Sequence, residues 1–165
     1  MAERGTLWVL EGLDGSGKAT QAALLAAYIA STGQKCKQIS FPDYQHSSSA
    51  LVKSYLSGEL GALREVNAYA ASSFYAVDRY ASYRRFWRED YLSGTVILAD
   101  RYATSNLPHQ MSKLPREQWD GFIAWLEDYE YGKLGLPRPD DVIYLDMPPA
   151  ASRALISGRY GGDES

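Results

Sequence analysis

Leu7-Trp8-Val9-Leu10-Glu11-Gly12-Leu13-Asp14-Gly15-Ser16-Gly17-Lys18 is the stretch that decides the fold. Its first four residues form a short continuous apolar run, the pattern of a strand buried on both faces. The run leads directly into a glycine-rich turn. Behind the turn, Lys18 to Ser31 is rich in alanine and leucine, with Ala22, Leu25, Ala26 and Ile29 at helical spacing and Gly33 placed to end the helix. Gly12, Gly17 and Lys18 fit the spacing Gly-x-x-x-x-Gly-Lys between that strand and that helix. Glycines at those positions let successive backbone N–H groups turn inward around phosphate oxygens, while the helix N-terminus adds positive partial charge and the lysine reaches the terminal phosphates. A phosphate-binding loop is therefore expected over Gly12, Leu13, Asp14, Gly15, Ser16, Gly17, Lys18, Ala19 and Thr20.

The loop departs from its pattern at one position. The residue after the lysine should offer a hydroxyl to Mg²⁺, and here it is Ala19. Thr20 lies about 100° further round the helix, so its hydroxyl is turned away. Two readings stay open. Mg²⁺ is held by substrate phosphates, water and a carboxylate such as Asp100, or the loop binds nucleotide with impaired catalysis.

Further along, strands and helices alternate. A second strand is expected near Cys36 to Phe41, a helix from Ser48 to Leu56 stopped by Gly58, and a long helix from about Arg64 to Leu92. On the long helix Val66, Tyr69, Ala70, Ser73, Val77, Tyr80 and Ala81 mark one stripe at helical spacing, and most of the tyrosines read as core or rim packing. Val96-Ile97-Leu98-Ala99 is a third strand that delivers Asp100-Arg101-Tyr102 at its carboxyl end, where ligands gather in such folds. A helix beginning near Pro115 shares Trp119, Phe122, Ile123 and Leu126 on one face. Val142 to Leu145 is a fourth strand, and a last helix runs from Pro148 or Pro149 through Ile156. The fold class is α/β, three layers with a mostly parallel sheet and helices on both faces, in a single domain spanning 1–165.

Composition narrows the function. Seventeen Lys and Arg against twenty Asp and Glu leave a net charge of −3, which argues against broad attraction to nucleic acid or an anionic membrane, so any bound anion must meet a local cluster. The lone cysteine, Cys36, forms no internal disulfide and reads as a buried thiol in a reducing compartment. The apolar run at Thr6 to Leu10 is too short for a membrane span or a signal peptide, and a cytoplasmic location is expected.

Glu11 to Gln21, Phe41-Pro42, Asp100-Arg101-Tyr102 and Leu136-Pro-Arg-Pro-Asp-Asp-Val-Ile-Tyr-Leu-Asp146 together resemble the thymidylate kinases, in order and in spacing, from Thr6 to the chain end. The resemblance implies a P-loop kinase domain with strand order 2-3-1-4 that moves the γ-phosphoryl of ATP to thymidine monophosphate, uses Mg²⁺ and forms a homodimer. By resemblance, Lys18 holds the donor phosphates, Arg101 the acceptor phosphate, and Asp100 the magnesium through water. Asp14 sits near the acceptor's phosphate and ribose. The family's loop arginine is replaced by Gly15, so the catalytic cation is expected from the lid, as Arg153 or Arg159. Tyr75 and Arg79, four residues apart, correspond to the aromatic ring and the arginine that meet thymine. Phe41, Tyr44, Asn106, His109 and Gln110 complete the expected acceptor site. The last residues, from Gly158, resemble the opening of the lid. The family's following strand and C-terminal helix are absent from this sequence, and whether it is a fragment or a short protein stays open. Two rivals stand beside this reading: a non-catalytic nucleotide-binding module, suggested by Ala19, and a deoxynucleoside kinase. The absence of an Asn-Lys-x-Asp motif argues against a GTPase switch.

Overall fold

The computed structural model describes residues 4–160, and of Gly158, Arg159 and Tyr160 the backbone alone. Four parallel strands form one sheet: β1 (Leu7–Gly12), β2 (Cys36–Ser40), β3 (Val96–Asp100) and β4 (Asp141–Leu145), in the order β2-β3-β1-β4. The strand order matches the expected one. β1 and β3 lie at the centre and are buried on both faces, which is why their residues read as unbroken apolar runs.

Alternation along these strands feeds two cores. Leu7, Val9, Ile97 and Ala99 face one side and pack with Phe41, Trp87, Tyr91 and Tyr102. Leu10 and Leu98 face the other and pack against Ala22 and Ala26 of α1 (Lys18–Ser31). The small alanines let α1 lie close on the sheet. The remaining helices are α2 (Ala50–Leu56), α3 (Ala68–Ser82), α4 (Arg88–Leu92), α5 (Asn106–Met111), α6 (Trp119–Glu127) and α7 (Pro149–Tyr160).

The long helix and Cys36 depart from the expected pattern. The long helix begins at Ala68, where the Asn67 side chain accepts a hydrogen bond from the Ala70 N–H at 2.8 Å and so caps it. It also widens into a π turn at Tyr83–Trp87 before α4 continues it. Most of its tyrosines lie in the core or at its rim, as expected: Tyr83 and Tyr91 are buried, Tyr75 is half-buried and Tyr69 packs edge-on against Phe122 and Trp125, while Val77 and Tyr80 of the stripe face outward. The buried face instead carries Ala71, Ser72, Ala76, Asp78 and Arg79. Asp78 is accommodated there by the Ser48 hydroxyl at 2.6 Å and the Asp43 N–H at 2.8 Å. β4 pairs only with β1 among the described residues, and Val142, Ile143 and Tyr144 remain exposed despite their strand-core composition. Cys36 is half-buried rather than buried, with burial raising its thiol pKa.

Candidate functional site

All the groups singled out at the carboxyl ends of β1 and β3 converge. The loop Gly12–Gly17 leaves β1 and enters α1 at Gly17, which adopts a left-handed conformation with φ 86°. Space dictates two of its glycines. A Cβ on Gly12 would stand 2.8 Å from Ser16 Oγ and 2.9 Å from the Leu145 carbonyl. One on Gly15, at φ +76°, would stand 2.8 Å from the Ile156 side chain and 3.0 Å from the Ser152 carbonyl of α7, so any side chain here is strained and crowded. The Ser152 hydroxyl of α7 also donates to the Asp14 carbonyl, fastening helix to loop.

Lys18 is buried, and its ammonium donates to the carbonyls of Gly12 at 3.1 Å and Leu13 at 2.8 Å. Burial lowers its pKa, as does Arg101, against the opposing pull of Asp100, Asp14 and Glu11. A cation held at desolvation cost beside a glycine loop is suited to meet an incoming polyanion. Ala19 and Thr20 are exposed. Ser16 Oγ is buried with no hydrogen-bond partner among the described residues.

Arg101 follows β3 with φ +66°, the only positive φ on a non-glycine among the described residues. Such a conformation costs about 1–3 kcal/mol and persists where surrounding contacts impose it. Its guanidinium donates to Asp14 at 2.5 Å and to Ser105 Oγ at 3.3 Å. Glu11, buried at the end of β1, accepts from the hydroxyls of Thr104 and Ser105, each at 2.6 Å, and from the Tyr102 N–H at 3.3 Å. Asp100 is half-buried, and burial raises its pKa against the opposite influence of Lys18 and Arg101.

Two cavities flank this cluster. One, of about 280 Å³, is lined by Asp14, Gly15, Gly17, Lys18, Ala19 and Asp100 on the loop side. The other, of about 390 Å³, is lined by Tyr55, Tyr75, Arg79, Asn106, His109 and Gln110. Asp14, Phe41, Pro42, Tyr44 and Arg101 line both, so the two spaces share a wall with an arginine in it. Burial, together with Tyr44 and Tyr55, pushes the Tyr75 phenol up to about 12. Gln110 is buried with its amide oxygen unpartnered among the described residues, and His109 stands exposed on the rim.

Arg79 is held in a way the spacing did not announce. Its guanidinium is 2% exposed and forms two parallel hydrogen bonds to the fully buried Glu130, Nε to Oε2 at 2.7 Å and Nη2 to Oε1 at 2.5 Å. Asn106 donates to the same carboxylate at 3.3 Å, and the Tyr102 ring lies 6.0 Å away. Nη1 carries no bond among the described residues. Arg79 thus reaches the larger cavity as one member of a buried pair rather than as a free cation.

Sequence reasoning missed Glu11, Ser105, Lys113 and Glu130. Lys113 donates to the Tyr55 hydroxyl at 2.7 Å and lines the larger cavity. Two of the four left a trace. Glu11 is a charge at the end of a buried run, and Glu130 continues the Phe122–Leu126 face into a π turn at Asp128–Lys133. Arg153 is exposed on α7 and lines neither cavity. The Arg159 side chain and the expected lid opening beyond Tyr160 lie outside the described residues. Among those residues no cluster of three or more His, Cys, Asp or Glu gathers as a metal site, and no helix is long and apolar enough to cross a membrane.

A glycine loop fastened to α7, a strained arginine after β3 and a shared wall between two cavities can be set beside known proteins. The family model for thymidylate kinase matches residues 10–160. A thymidylate kinase of Arabidopsis thaliana is 32% identical over 161 residues, covering 97% of this chain and 55% of its own length. One from Mycobacterium tuberculosis is 31% identical over 159 residues, covering 95% of this chain and 73% of its own. The solved thymidylate kinase of Candida albicans superposes with a TM-score of 0.69 at 26% identity, covering 91% of this chain and 66% of that one. The chain therefore spans little more than half the length of the Arabidopsis relative. The match runs from within β1 to the end of α7, through both cavities and the wall between them, and on it the chain belongs to the thymidylate kinase family.

Proposed function

We propose that the protein transfers the γ-phosphoryl group of ATP to thymidine 5′-monophosphate, forming thymidine diphosphate. The observation that carries this is the shared wall: Arg101 borders both the loop cavity and the aromatic cavity. Phosphoryl transfer asks chiefly for alignment and for cations around the transferring group, with little covalent work for the protein. A guanidinium between two pockets meets that demand, since its fork of donors binds a phosphate bidentately.

In this reading the donor triphosphate lies on the backbone N–H groups of Gly12 to Lys18. Lys18 gives up the carbonyls of Gly12 and Leu13 to neutralise it. The acceptor occupies the larger cavity, with Tyr75 against the base, Arg79 Nη1 and the unpartnered Gln110 amide at its polar edge, and Asn106, His109, Phe41 and Tyr44 completing the surround. Arg101 exchanges Asp14 for the acceptor phosphate, which frees Asp14 to meet the ribose. The further cation that Gly15 leaves out is assigned to Arg159 of α7, with Arg153 of the same helix, which lines neither cavity, as the alternative.

Mg²⁺ fits the donor set on one condition. Asp100 lines the loop cavity beside Lys18, whereas Ala19 offers no oxygen and the cavity's other carboxylate, Asp14, is paired with Arg101, so Asp100 would hold the ion with the remaining ligands from phosphate and water, as Mg²⁺ tolerates. When bound, it neutralises charge on the donor phosphates. The exposed Val77 and Tyr80 of α3 offer an apolar contact for a homodimer, and the net charge of −3 favours a small-molecule partner over nucleic acid.

Chromatographic detection of thymidine diphosphate from ATP and the monophosphate tests the proposal. Binding of both nucleotides without product at any Mg²⁺ concentration would favour the non-catalytic module that Ala19 suggests, and phosphorylation of thymidine itself would favour a nucleoside kinase.

A further inference from the structure

We infer that Glu11 is a positioning residue for the acceptor phosphate, acting on Arg101 through the hydroxyl of Ser105. The inference rests on the reading of Arg101 given above. Glu11 stands at the end of β1, immediately before the phosphate loop, and is 7% exposed. A carboxylate accepts hydrogen bonds and donates none, and this one takes three donors from the turn that follows Arg101: Thr104 Oγ1 and Ser105 Oγ at 2.6 Å and the Tyr102 N–H at 3.3 Å.

The Ser105 bond carries the argument. A serine hydroxyl has one proton, and the short contact to Glu11 Oε2 commits it. The Ser105 oxygen is then left as an acceptor, facing Arg101 Nη1 at 3.3 Å. Glu11 Oε2 itself lies 4.0 Å from that nitrogen, too far for a direct hydrogen bond. The carboxylate thus sets the polarity of the hydroxyl, and the hydroxyl sets the azimuth of the guanidinium. The other two bonds fix the turn that holds Arg101 at φ +66°. Nη2 is left to Asp14, an exposed partner that an arriving phosphate can replace. One buried carboxylate at the root of the phosphate loop therefore registers the acceptor's arginine against the donor's cradle.

Calorimetric titration with thymidine monophosphate and, separately, with thymidine tests this on the wild-type chain and on Glu11→Gln, Ser105→Ala, the double variant and Arg101→Ala. A residue acting through Arg101 must affect only the ligand that bears a phosphate. Glu11→Gln is expected to weaken monophosphate binding about tenfold, the scale of one lost hydrogen bond to a charged group, and to leave the thymidine Kd unchanged. Ser105→Ala should do the same and keeps the test alive if Glu11→Gln does not fold. In the double variant the losses should not add, since both act on one contact. Parallel losses for thymidine and its monophosphate, or additive losses, would assign Glu11 to the fold alone. Wild-type binding by Glu11→Gln and Ser105→Ala beside a weakened Arg101→Ala would overturn the inference and leave the reading of Arg101 standing. Unchanged monophosphate binding by Arg101→Ala would overturn both.

Discussion

Replacing Glu130 by glutamine preserves its volume while removing the charge that Arg79 faces. Both side chains are almost fully enclosed, 2% and 0% exposed, and share two hydrogen bonds, with a third to the same carboxylate from Asn106. The amide still offers one acceptor oxygen, but its NH₂ must confront a guanidinium N–H. Arg79 is then left charged, dehydrated and half-paired, because burial opposes its charge and Glu130 is what sustains it. Breaking a buried ion pair from one side costs about 3–5 kcal/mol. For a domain of this length each kcal/mol moves Tm by roughly 2–4 °C, so a fall of about 6–20 °C is expected. Urea unfolding of Glu130→Gln, with midpoint and slope both fitted, measures the loss, and the slope should stay constant if only stability has changed. The double variant Arg79→Met, Glu130→Leu should recover most of it, since apolar side chains of similar volume replace a buried pair at little cost. A loss below about 1 kcal/mol for Glu130→Gln, or a double variant as unstable as the single one, would show that the pair is not what holds this region.

Other perturbations probe the cavities one group at a time. Lys18→Ala should abolish phosphoryl transfer in a folded protein, as the ammonium neutralises donor phosphate; full turnover with an unchanged melting curve would count against its role. Tyr75→Phe should be mild, whereas Tyr75→Ala should weaken thymidine monophosphate far more than ATP, and equal losses by calorimetry would remove the ring from the base site. Asp100→Asn should lose Mg²⁺-dependent activity yet be more stable than wild type at pH 7. The sign follows from burial: a carboxyl pKa raised in the folded state means that folding favours the proton, so the anion destabilises the protein once pH exceeds the folded value. A less stable Asn variant at pH 7 would contradict this.

Much of the fold could be read from the chain because it rests on local patterns. A strand buried on both faces writes itself as Leu7 to Leu10 or Val96 to Ala99, and the glycines of the loop mark a turn that side chains would block. The phosphate-side residues followed from the same stretch. What escaped depends on partners distant in sequence. Arg79 and Glu130 are 51 positions apart, so nothing local told that a helix would bury its arginine and turn Val77 and Tyr80 outward. On α3 the hydrophobic stripe and the buried face differ because small residues and a satisfied Asp78 allow close packing that periodicity does not register. β4 resembles the central strands in composition, and its exposure reflects its place in the sheet, beside β1 alone among the described residues, rather than anything in the strand itself. The role of Glu11 lies in hydrogen-bond direction, which one-dimensional spacing does not encode.

The central claim is that Arg101 stands between a donor and an acceptor phosphate. Product analysis after incubation with ATP, Mg²⁺ and an equimolar panel of nucleoside monophosphates tests it most directly, run on wild type and on Arg101→Lys. Thymidine diphosphate should be the main product of the wild type, and Arg101→Lys should lose most of it, since a point ammonium does not reproduce the bidentate fork. An unchanged rate with lysine at this position, or a wild type that binds thymidine monophosphate and phosphorylates none of the panel, would contradict it.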